Sequence, residues 1–148
     1  MTLIDKVLQQ HSTAATPLTL REAGATLLVA AVAADGALAP TEKVRLDGLL
    51  ASMRLFRDVT PEHLQALLSA AVDLVGREPI EDVLTACAAV VPEPLRPALF
   101  ALAVELVLVD GRIADGEKRL IDQLQRALAV DEAWAAACID VLVIRSRA

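Results

Sequence analysis

Four carboxylates, Asp35, Glu42, Asp110 and Glu117, carry the clearest chemistry in this chain. Asp35-Gly36-Ala37-Leu38-Ala39-Pro40-Thr41-Glu42-Lys43 recurs 75 positions on (110 − 35) as Asp110-Gly111-Arg112-Ile113-Ala114-Asp115-Gly116-Glu117-Lys118. Between residues 27–50 and 102–125, ten of 24 positions are identical, and Asp, Gly, Glu and Lys stay in register with the apolar positions. This reads as an internal duplication. Each repeat aims an Asp and a Glu towards one turn. Carboxylates gathered from both turns repel one another unless protonated or neutralised, and a hard divalent cation such as calcium, magnesium or manganese is the natural neutraliser. The pattern D-G-x-[LI]-x-x-x-E is the second half of an EF-hand loop: acidic ligand, turn glycine, apolar anchor, closing Glu. The first half is missing, because Ala31 and Ala33, or Leu106 and Leu108, stand where the earlier ligands would be. Neither loop is an EF-hand.

A purely structural reading competes. An Asp at the end of an apolar helix meets the negative end of the helix dipole, at a cost of roughly 0.3–1 kcal/mol. Asp35 then earns its place by capping the helix that begins at Pro40, with Glu42 reaching back as in a capping box. Ala39 and Ala114, at the cap positions, have no side-chain acceptor of their own. Capping and metal coordination are compatible, and both stay open at this point.

The elements that position these residues are helical. Hydrophobic residues make up 55% of the 148, mostly Ala, Leu and Val, with two Phe, one Trp and no Tyr, which suits close-packed helices better than a β-sandwich. Residues 2–11 read as a short amphipathic helix and Ser12–Pro17 as a linker. Thr19 and Glu22 form a capping-box pattern opening a helix to about Ala34. Pro40 starts the next, with Leu46, Leu49, Leu50 and Met53 as its stripe. Further helices follow: Thr60 to about Val75, Pro79–Val91, Leu95–Val109, residues 115–128, and a last one capped by Asp131. No strand-like alternation bounded by hairpin turns is present. The prediction is an all-α bundle of seven to eight helices, one domain over 1–148, with repeats at about 19–75 and 95–145 that pack face to face.

This arrangement, duplicated helix–Asp-Gly–helix–Glu in an all-helical chain of this length, resembles the tellurite-resistance TerB-like family from about Thr19 to Arg145. The resemblance implies a compact pseudo-twofold bundle. It also implies acidic residues that bind a divalent metal, by motif position Asp35, Glu42, Asp110 and Glu117, and association with bacterial stress-response or membrane-linked protein complexes. Glu105 aligns with Ala30, so any site is asymmetric.

Other classes are disfavoured. The net charge is −6 with no dense Lys/Arg run, which argues against nucleic acid and for cations or a basic partner patch. The apolar runs 27–34 and 98–109 fall short of the roughly 20 residues that span a bilayer. The first residues lack the basic flank and apolar block of a signal peptide, so a cytoplasmic protein is expected. His11 and His63 are isolated from each other and from any Cys cluster, which disfavours zinc. Cys87 and Cys138 read as buried free thiols and Trp134 as core. Glu105 is either an extra ligand near Asp110 or the solvated edge of its helix, and Asp47 and Asp122 read as solvated salt-bridge partners. Arg145 and Arg147 read as a solvated basic tail. No nucleophile–base pair, phosphate-cradling glycine loop or H-E-x-x-H is present, so a non-enzymatic module is expected, either metal-binding or a metal-free protein-interaction domain.

Overall fold

The computed structural model describes residues 18–33, 37–108 and 111–148; the helix expected at 2–11, and with it Asp35, Gly36 and Asp110, lies outside them. Among the described residues there are seven α-helices: α1 (Leu20–Ala33), α2 (Pro40–Ser52), α3 (Pro61–Arg77), α4 (Ile80–Ala88), α5 (Arg96–Val107), α6 (Asp115–Ala127) and α7 (Glu132–Arg145). Short 3-10 turns at Arg54–Phe56 and Glu93–Leu95 join α2 to α3 and α4 to α5. Among the described residues there is no strand, and the only β character is a single bridge at Arg112. The all-α expectation holds.

The caps explain where these helices start. Thr19 and Glu22 exchange hydrogen bonds: the Glu22 amide donates to Thr19 Oγ1 at 3.1 Å, and the Thr19 amide donates to Glu22 Oε1 at 2.9 Å. Thr60 Oγ1 accepts from the His63 amide and Asp131 Oδ2 from the Trp134 amide, which satisfies orphan donors at the starts of α3 and α7.

α1 is the hub. Ten of its 14 residues are buried, because it packs on α3, α4 and α5 and also touches α2 and α6. Its all-round apolar sequence therefore belongs to a buried helix rather than a membrane span, and no helix among the described residues is long and apolar enough to cross a membrane. α5 packs beside it through Leu99, Phe100, Ala103 and Val104, all within one core cluster. The order helix, loop, helix, helix occurs at α1–α3 and again at α5–α7.

The end of α6 carries a strained cap. The Ala129 amide donates to the Arg126 carbonyl and the Val130 amide to the Gln125 carbonyl, both at 3.1 Å. This is the paired pattern that normally places glycine at the left-handed position. Ala129 occupies it instead, at φ 54°. Ala129→Gly should stabilise the chain by about 0.5–1 kcal/mol, since the left-handed penalty on a Cβ (roughly 1–2 kcal/mol) exceeds the added freedom of the unfolded glycine. A urea midpoint that moves down instead would show that the Ala129 methyl is held by packing.

Candidate acidic cleft

The glutamates of the two motifs share a cavity. Glu42 is the third residue of α2 and Glu117 the third of α6, and both line one cavity of about 330 Å3 with Ala31, Val32, Ala114 and Leu120. The apolar anchors Leu38 and Ile113 pack against the core, which holds the residues just before α2 and α6 to the body of the protein. Gly111 has φ +74°, a conformation that a Cβ makes costly, so the second turn depends on the glycine of its Asp-Gly pair.

Each glutamate does one job already. The Ala39 amide donates to Glu42 Oε1 at 3.0 Å, and a hydrogen bond from the Ala114 backbone reaches Glu117. Both are therefore the reach-back half of a capping box, and no side chain at either Ala cap supplies the other half. The electrostatics also tie the pair together. Burial raises the Glu117 pKa above the ordinary glutamate value, and the Glu42 charge raises it further. The Ala114 hydrogen bond and the Arg45 guanidinium oppose this without cancelling it.

Arg45 is the residue that sequence reading passed over. Its Nη2 donates to the carbonyls of Glu105 at 3.1 Å and Leu108 at 3.3 Å, so a cation closes the C-terminal end of α5, where the helix dipole favours it. Its counterpart in the second repeat is Leu120, a buried side chain on the cavity wall. The Arg45 charge that acts on Glu117 thus has no equivalent at the matching position of the second repeat.

The remaining candidates fall elsewhere. Glu105 is partly exposed and pairs with Arg145 Nη1 at 3.0 Å, which makes it the solvated edge of α5 and ties down part of the expected basic tail. Asp47 pairs with Lys43 at 2.9 Å and accepts from Gln65, while Asp122 is exposed. Trp134 departs from the core reading: it is 42% exposed, with its inner edge against Phe100 at a centroid distance of 6.2 Å. Cys87 is a buried free thiol, and burial pushes its pKa up to about 12, so it behaves as a small apolar side chain. Cys138 is free but only half buried.

The pH dependence follows from the Glu117 shift. Its folded-state pKa lies above the unfolded value, so the folded chain holds that proton to higher pH than the unfolded chain. Stability from this group is present at low pH and is lost as pH rises through the glutamate range and just above it. Glu117→Gln keeps an acceptor for Ala114 and should remove that decline. Without divalent ions its melting temperature at pH 7 should equal or slightly exceed the parent's. A variant that melts lower at pH 7 would show that the Glu117 charge is a net stabiliser of the α6 N-terminus.

An all-helical body that sets two glutamate-bearing helix starts around one cavity defines a small helical module with an acidic cleft. Residues 21–138 match the family model described as tellurite resistance protein TerB, and the chain belongs to the TerB family. Neither the curated proteins nor the solved structures yield a match.

Proposed function

We propose that the cleft is a divalent-cation site and that the chain is a non-enzymatic TerB module acting in tellurite or metal stress. The supporting observation is the convergence of Glu42 and Glu117 on one cavity, close enough for one charge to raise the other's pKa. Among the described residues no group of three or more His, Cys, Asp or Glu is placed to hold a metal ion. Two glutamates are a thin donor set for calcium, magnesium or manganese, so the site requires Asp35, Asp110 or both as further oxygen ligands. Bound metal would replace mutual repulsion with attraction, draw the starts of α2 and α6 together, and so couple cation level to a surface that a partner protein reads.

Melting the chelator-treated chain with each of calcium, magnesium, manganese and zinc tests this. A cation at 100 times its dissociation constant stabilises by about 2.7 kcal/mol, or roughly 5–10 °C here. The shift should vanish in Glu42→Gln/Glu117→Gln and in Asp35→Asn/Asp110→Asn. If no ion shifts the parent, the cleft is no metal site.

A second reading rests on a specific observation: both glutamates already accept cap-position amides, and the Arg45 charge already acts on Glu117. The motif is then a helix-capping device in a metal-free interaction domain. No response to any ion, together with a Glu42→Ala/Glu117→Ala variant that loses both acceptors and melts lower by itself, would favour it.

A further inference from the structure

Trp134, half in water, borders another cavity, of about 270 Å3. Pro97, Val130 and the indole give it an apolar floor, and Glu93, Arg96 and Asp131 supply its charges. It lies at the last turn of α6, whereas Glu117 and the acidic cleft lie at the first. Its volume is below the roughly 300 Å3 at which small-molecule pockets begin, a size that suits one long side chain rather than a whole ligand.

The charges narrow the occupant further. Glu93 is exposed and makes no hydrogen bond or ion pair among the described residues. Asp131 Oδ2 accepts the Trp134 amide, which leaves Oδ1 and the negative charge in place. Arg96 is a committed cation. Its Nε, Nη1 and Nη2 donate to the carbonyls of Val91, Leu128 and Ala88, at helix ends whose dipoles offset its charge. Two carboxylates against that one guanidinium leave the rim acidic. The cavity between α6 and α7 adds Asp122 and Glu132 against Arg126. We propose that the cavity beside Trp134 receives one arginine side chain of a partner protein, stacked on the open part of the indole and paired with Glu93. A planar guanidinium both stacks on an aromatic face and offers a carboxylate two parallel N–H donors, while its stem covers Pro97 and Val130. Tryptophan and arginine are the residue types on which interfaces concentrate binding energy, and the net charge of −6 draws a basic surface towards this chain. The site stands whether or not the acidic cleft binds metal.

The indole N–H signal in nitrogen-15 NMR spectra of the full chain tests the proposal, because Trp134 is the only tryptophan and the signal needs no assignment. The probes are the capped peptides Gly-Arg-Gly and Gly-citrulline-Gly at matched ionic strength, since citrulline keeps the shape of arginine and loses its charge. The arginine peptide should move the signal saturably, half-way at about 10 mM, and the citrulline peptide should not move it. Glu93→Gln should weaken the response about fivefold, and Glu93→Gln/Asp131→Asn should abolish it. Asparagine still caps α7, so the melting temperatures should stay close to the parent's. No movement with the arginine peptide, equal movement with citrulline, or a response unchanged in the double variant overturns the proposal. Free arginine that binds more tightly than the peptide would make this a metabolite site and overturn the docking role equally.

Discussion

Phe100→Ala should lower the stability of this chain by about 3–5 kcal/mol, or roughly 10–15 °C in melting temperature. Phe100 is fully buried and is among the largest side chains in the core. It borders a cavity of about 400 Å3 between α6 and α7, lined also by Ile121, Ala135 and Ile139, and its ring packs at 59° against Trp134. Truncation removes the transfer free energy of the ring and merges its volume with existing free space, which the surrounding helices only partly refill. Trp134 is the only tryptophan, so the emission of the folded variant should shift to the red as the indole loses its inner contact. Val44→Ala, at a side chain 71% exposed, serves as the control and should stay within about 0.5 kcal/mol. A Phe100→Ala loss as small as that of Val44→Ala would mean that α7 is held by something other than this packing.

Arg96→Ala carries the second largest effect, about 2–4 kcal/mol in a urea titration. One guanidinium serves three separate pieces of chain. Its Nη2 donates to the Ala88 carbonyl at the end of α4 and its Nε to Val91 in the following turn, both at 3.1 Å. Nη1 donates to Leu128, after α6, at 3.4 Å. A charged donor contributes about 1.5–3 kcal/mol per hydrogen bond, and removing it leaves partly buried carbonyls unpaired; the three contributions share one side chain and do not add. Arg96→Lys should recover only part of the loss, because an ammonium lacks the planar fork that reaches several carbonyls at once. Full recovery by Lys would show that positive charge at the helix ends, rather than the fork, is what matters.

Most of the helices were legible because their signals are local. Thr19 with Glu22, Thr60 and Asp131 each act within three residues, so cap patterns at the starts of α1, α3 and α7 could be read directly and the structure reproduces their hydrogen bonds. The reach-back of Glu42 to Ala39 was legible for the same reason. Ala129 was not, since nothing in its identity announces a left-handed backbone; the hydrogen bonds of the α6 end impose it. Trp134 misled because large aromatic side chains are mostly buried, and only the position of α7 at the rim of the bundle leaves it half in water.

Helical character, the approximate helix limits and the recurrence of an acidic Asp-Gly-Glu motif are all readable from the order of residues alone. The period of apolar residues and the chemistry of caps act over one or two turns and need no knowledge of the fold. Long-range packing puts Glu42 and Glu117 on one cavity, brings the Arg45 charge to bear on Glu117 while its guanidinium holds the end of α5, and leaves Val141 and Ile144 of α7 in solvent. Each of these joins or separates residues far apart in the chain. Their proximity is set by how α1 and α5 pack in the core, a long-range outcome that no local spacing encodes.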